Sequence, residues 1–216
     1  MGRKANTKGS SVLLVVFVAL AGALVPIATG RLAALLDLRF RSLWLLATAV
    51  ALQVVAFAIP GHADAWRITA HVASFPVGLA FVWANREIPG LWVIAVGALL
   101  NGIAIAANGG VMPASASAVR TAGLEADPSG FVNSDVLADP NLLFLGDVFA
   151  IPASWPFANV FSVGDVLIAV GAAYSIHASC GSRLVPVRFH RVPTPTHAAE
   201  DGSPSRSPSS PNRPDR

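Results

Sequence analysis

Two carboxylates stand in matching contexts. Asp147 lies in Leu145-Gly146-Asp147-Val148 and Asp165 in Val163-Gly164-Asp165-Val166, eighteen residues further on. Asp165 also interrupts an otherwise uncharged apolar stretch, and an ionisable residue in such a place is a functional hypothesis by default. Two carboxyls brought together would share a proton, with one pKa raised, and that is acid–base or hydrolytic chemistry. A structural reading competes with this one. Ser162-Val163-Gly164-Asp165 fits a capping box, in which Ser162 caps a helix and Asp165 returns a hydrogen bond. A negative charge in a first turn also complements the helix dipole.

Other polar residues recur at helical spacing. Gly97, Asn101, Ala104 and Asn108 fall on one face, as do His71, Ser74 and Gly78, and Gln53 is a further buried-amide candidate. Gln53, His71 and Asn101 would line a polar cavity with Asp165, suited to a small solute, an ion or a proton. Equally, small and amide residues on one stripe suit close helix packing and interhelical hydrogen bonds. No metal-ligand spacing is complete: His62-Ala63-Asp64 and His177-x-x-Cys180 are isolated pairs. Without a phosphate loop, a nucleophile elbow or a stacking platform, the sequence implies no cofactor and no nucleic-acid partner.

The elements that must position these residues are membrane helices. The chain is 54% hydrophobic and 12% charged, about half the charge of an ordinary soluble protein, which excludes a soluble enzyme, a disordered chain and a disulfide scaffold. Five stretches have the length of a span: 11–29, 42–59, 68–84, 91–108 and 160–179. Asp165 is the one charged residue in them. The expected fold is therefore all-α, a polytopic membrane protein with about five transmembrane helices. Trp44, Trp66, Trp83, Trp92 and Trp155 fall near proposed span ends, where indoles prefer to sit. Arg31, Arg39 and Arg41 bracket a leucine-rich segment that reads as interfacial, and Pro60-Gly61 and Pro89-Gly90 close the other short connections. The first stretch follows Arg3, Lys4 and Lys8 like a signal peptide, but it outruns a usual h-region and ends in a poor cleavage site. It reads as a span.

An N-terminus outside and a C-terminus in the cytoplasm places ten of the fifteen Lys and Arg inside. Outside the spans lie a basic N-terminal tail (1–10), a long loop (109–159) and a C-terminal tail (181–216). The loop carries Glu125, Asp127, Asp135, Asp139 and Asp147 against Arg120. Within it 141–151 is apolar but too short to span, a candidate re-entrant or interfacial segment. Loops of this length are often functional, although a lid over polar helix ends would look the same. The tail has seven Pro, six Ser and six Arg; such a composition cannot bury enough surface to order itself.

Three strings resemble a known pattern: Asn108-Gly109-Gly110-Val111-Met112-Pro113, Phe144-Leu145-Gly146-Asp147-Val148 through Pro152, and Asn159-Val160-Phe161-Ser162-Val163-Gly164-Asp165-Val166. They resemble the bacterial membrane family called domain of unknown function 5317. That resemblance implies an inner-membrane setting and three strings acting together; it implies no activity. Asn108, Gly109, Gly110, Asp147 and Asp165 then form a candidate polar cluster at one membrane surface. Asn-Gly-Gly is also an apt helix stop, with Pro113 preventing resumption. A likeness to intramembrane aspartic proteases fails residue by residue, since the first glycine of their Gly-x-Gly-Asp motif falls at Phe144 or Ser162 and Tyr174 is the only tyrosine. The leading expectation is a non-enzymatic accessory or interaction protein whose partners are the lipid bilayer and a membrane protein or a second copy. A small-solute or ion carrier is the alternative, and an Asp-pair intramembrane hydrolase a distant third.

Overall fold

Apolar runs bounded by prolines, glycines and polar caps become the five long helices among the described residues, and a short sixth joins them. A computed structural model describes residues 3–4, 8–58, 65–125 and 134–186. The helices are α1 (Lys8–Ile27), α2 (Leu43–Ala58), α3 (Ala65–Ala84), α4 (Leu91–Ala107), α5 (Ala116–Ala122) and α6 (Val163–Ser179). Short strands join them: β1 (Arg3–Lys4), β2 (Met112–Pro113), β3 (Leu124–Glu125), β4 (Ser134–Asp135), β5 (Phe149–Ile151) and β6 (Asn159–Phe161). The chain is thus mostly helical, and its five long helices occupy the five expected stretches.

Length qualifies the expectation of five spans. Among the described residues, α3 is the one helix that is both long and apolar enough to cross a membrane, while the apolar segments of α2, α4 and α6 are shorter. Local chemistry explains two of the short ends. Helix α4 stops where Gly109 and Gly110 adopt φ of 67° and 90°, a left-handed region that glycine enters without a Cβ clash. Helix α6 begins at 163 rather than 160, because Asn159–Phe161 pairs antiparallel with Phe149–Ile151.

The helices pack as antiparallel neighbours α2–α3, α3–α4 and α4–α6, with α1 laid parallel to α6. The α4–α6 seam is the tightest. A Cβ on Gly97 would lie 2.9 Å from the Ile168 side chain, and one on Gly171 would lie 2.8 Å from the Ile94 backbone nitrogen. Gly164 faces Asn101 so closely that a Cβ there would collide with its Oδ1 and lie 2.7 Å from the Gly97 carbonyl oxygen. Such approach is what small residues provide where helices meet without water. On the other side of α4, Trp92, Val96, Leu99 and Ile103 form an exposed apolar stripe.

The connections collect at two ends. At one, Arg31 N–H donates to the Cys180 carbonyl, Arg183 N–H to the Ala28 carbonyl, and Asn85 Oδ1 accepts from Arg41 N–H at 2.7 Å. The expected interfacial segment lies here as a 3-10 turn, Leu32–Leu35. At the other end β1 pairs in parallel with β3, and α5 packs on β5 and β6.

The structure adds detail to four sequence expectations. The 141–151 run, the candidate re-entrant or interfacial segment, is a 3-10 turn at Leu143–Leu145 followed by β5. The 109–159 loop carries a helix and paired strands of its own, because Ala118, Ala122 and Val160 bury a small core. Order also continues past 180, since Ser182 and Val185 are buried; residues 187–216 lie outside the described residues. Finally, Trp44, Trp66, Trp83 and Trp92 sit exposed at helix ends, whereas Trp155 lies in the β5–β6 connection.

Candidate functional site

The start of α6 is built as its sequence suggests. Ser162 Oγ accepts from Asp165 N–H at 3.0 Å, and Asp165 Oδ2 accepts from Ser162 N–H at 2.9 Å, a complete capping box. Helix α4 adds a third member: Asn101 Nδ2 donates to Asp165 Oδ1 at 2.9 Å. Ser162 Oγ, wholly buried, lies 2.9 Å from both Asn101 Oδ1 and Asp165 Oδ2 and gives its single proton to one of them. The carboxylate is thereby tied both to its own helix and to the next one.

Asp147 has a different environment. Its backbone joins the Asn-Gly-Gly string: Asp147 N–H donates to the Pro113 carbonyl at 2.9 Å, and its carbonyl accepts from Ser115 N–H at 3.0 Å. Gly146 permits this pairing, because a Cβ there would collide with the Pro113 carbonyl. The side chain is buried, with Ser134 Oγ donating to Oδ2 at 2.6 Å. Burial pushes the carboxyl up from 3.8 to about 6; the Ser134 hydrogen bond opposes this shift, and the charge of Asp165 adds to it.

Asn108 closes α4 and holds the loop. Its Nδ2 donates to the Ala104 carbonyl at 2.7 Å and to the Asn141 carbonyl at 2.8 Å, while Oδ1 accepts from Asn141 N–H at 2.8 Å. Asn141 Nδ2 donates in turn to the Ala107 carbonyl at 3.1 Å. The two asparagines clasp each other as adjacent strands would. Gly110 lies against Ile68 of α3, and a Cβ on Gly109 would meet open space.

Asn108, Asp147 and Asp165 therefore share one end of the molecule but belong to three separate contact sets. No hydrogen bond joins them among the described residues. The expected cavity lining divides as well. Gln53 and His71 meet between α2 and α3: His71 Nδ1 donates to Gln53 Oε1 at 2.9 Å, Gln53 Nε2 to Ser74 Oγ at 2.7 Å, and Ser74 Oγ to the His71 carbonyl at 2.5 Å. Phe57 and Phe75 flank the imidazole edge-on. Asn101 belongs instead to the α4–α6 seam with Asp165.

Several participants went unread in the sequence. Ser134 and Asn141 sit in the acidic loop with no periodicity to mark them, and only the fold brings them to Asp147 and Asn108. Arg67, one residue before the expected third span, is buried, 3.4 Å from the Ala56 carbonyl and stacked over Trp66. A short α2–α3 connection would have signalled that a side chain at 67 meets the end of α2. Among the described residues no group of three His, Cys, Asp or Glu is placed to hold a metal; His62 and Asp64 lie outside them.

No curated protein and no solved structure matches the chain. Residues 37–177, which contain α2 to α5, all three motif strings and most of α6, match the family of unknown function DUF5317, and the chain belongs to that family.

Proposed function

We propose that the chain is an integral membrane protein of a bacterial inner membrane. It crosses five times, with its N-terminus outside, and serves as a non-enzymatic accessory protein that presents the folded 109–159 segment to a membrane-protein partner or a second copy. The observation that carries this reading is the sorting of helix ends. One end holds Arg31, Arg39, Arg41 and Arg86 and, with the C-terminal tail, ten of the fifteen Lys and Arg, against Arg3, Lys4, Lys8, Arg67 and Arg120 at the other, the bias expected of a cytoplasmic face. The other holds the acidic segment, with a core of its own. Five apolar helices lie between.

The polar residues support the same reading. A carrier needs its polar groups around one pathway, yet Gln53 and His71 pair in one helix interface and Asn101 and Asp165 in another. A hydrolase needs two carboxyls sharing a proton, yet Asp147 takes its hydrogen bond from Ser134 and Asp165 from Asn101 and Ser162. Each of these side chains holds a hydrogen bond to a neighbour.

Sidedness tests the proposal. In a Cys180→Ser background, single cysteines replace Ser154 or Leu36, and intact cells meet a membrane-impermeant maleimide. Labelling at 154 alone is expected. Labelling at 36 alone would invert the orientation, and labelling at both without breaching the membrane would overturn the five-span topology. Solute uptake by reconstituted vesicles that vanished in Asp165→Asn would replace the accessory role with a carrier.

A further inference from the structure

The clasp between Asn108 and Asn141 fixes more than a helix end. The chain after Asn141 makes a 3-10 turn, Leu143–Leu145, preceded by Leu142 at a left-handed φ of 53°. Leu145 packs against Ala104, Ile105 and Met112. Ala104 and Ile105 belong to the last turn of α4, so the turn lies beside that last turn rather than beyond it. Leu142 and Phe144 are left exposed, Phe144 by 67%. No charged residue falls between Asp139 and Asp147.

The length of α4 says what covers that exposed surface. Its 17 residues rise about 26 Å, less than the roughly 30 Å of a bilayer's hydrocarbon core. A helix this short, if it crosses, has its last turn within the apolar layer. The exposed stripe Trp92, Val96, Leu99 and Ile103 runs up α4 toward the same end.

We infer that Leu142 and Phe144 form a lipid-contacting wedge in the outer leaflet, beside the last turn of α4, with Asn108 as the residue that sets its depth. The occupant is the acyl-chain border beneath the headgroups. This inference rests on the membrane-spanning reading above, and the controls below separate the two.

In the Cys180→Ser background, cysteine replaces Phe144, Val96 or Asp139, each labelled with bimane and reconstituted in phosphatidylcholine vesicles. Bromine carried high on the acyl chains is expected to cause about a twofold loss of emission at 144, as fits a group held some 5–10 Å into the interface. Aqueous iodide should quench 139 and spare 144. Adding Asn108→Ala should reduce the lipid quenching at 144 while leaving that at 96 unchanged, which shows the bundle still folded. Iodide reaching 144 as readily as 139, with 96 still quenched by brominated lipid, would overturn the wedge and mark a surface facing water or a protein partner. Loss of lipid quenching at 96 as well would overturn the spanning reading and the wedge with it.

Discussion

At the residue scale, the two Gly-Asp strings are alike in sequence and opposite in energetics. Asp165 is fully engaged in the cap, so Ser162→Ala should cost about 1 kcal/mol in thermal or denaturant unfolding in micelles. Asp147 is a burden on the fold when ionised. Its carboxyl titrates near 6 when folded, against an ordinary 3.8, so the folded state holds the proton more tightly than the unfolded chain does. Stability is therefore greatest below the lower value, falls as pH rises between the two, and is flat above the upper one. Asp147→Asn should remove that slope and raise stability near neutral pH by up to about 3 kcal/mol. Denaturation midpoints across the acid range would show it, and a variant less stable than wild type at neutral pH would contradict it. In the sequence only Ser162, three residues before Asp165, tells the two strings apart. What the sequence does not show is the serine from β4 that meets Asp147 and the asparagine from α4 that meets Asp165.

At the element scale, the α4–α6 seam has little slack. Gly164→Ala would press a methyl into Asn101 and the Gly97 carbonyl and should destabilise by about 1–3 kcal/mol. Gly22→Ala in α1, with nothing within 4 Å of its added Cβ, should instead be neutral or stabilise by up to about 1 kcal/mol. Paired melting curves would separate them; equal effects would mean the seam relaxes. The positions of the long helices were legible because an apolar run of span length has few other fates. The capping box and the Asn-Gly-Gly stop were legible for a related reason, being local hydrogen-bond chemistry. Residues 109–159 were not. Strands of two or three residues lack a period, and α5 is seven residues long, too short to announce itself. That Gln53 and His71 meet between α2 and α3 while Asn101 joins the α4–α6 seam was not legible either: spacing places a residue on a helix face but does not say which neighbour that face meets.

At the scale of the whole molecule, the two ends differ in charge as well as in form. Replacing Arg39, Arg41 and Arg86 with Gln would remove most of the positive bias at the 28–42 and 85–90 connections. Maleimide labelling at position 154 should then become partial in intact cells, as chains insert both ways round; undiminished labelling would mean that other features set the orientation. A last consequence comes from the parallel lie of α1 on α6. The main partners of α1 among the described elements are α6, β6 and the 3-10 turn that follows α1 itself. Helix α1, made well before α6, thus finds its mate only when α6 emerges. On the membrane-spanning reading proposed above, α2 and α3 can until then close on each other, while α1 waits unmatched in the bilayer and α4 lacks its glycine seam. On that reading, a ribosome stalled before Val163 would leave α1 without its main partner and one face of α4 bare, a state open to membrane proteases.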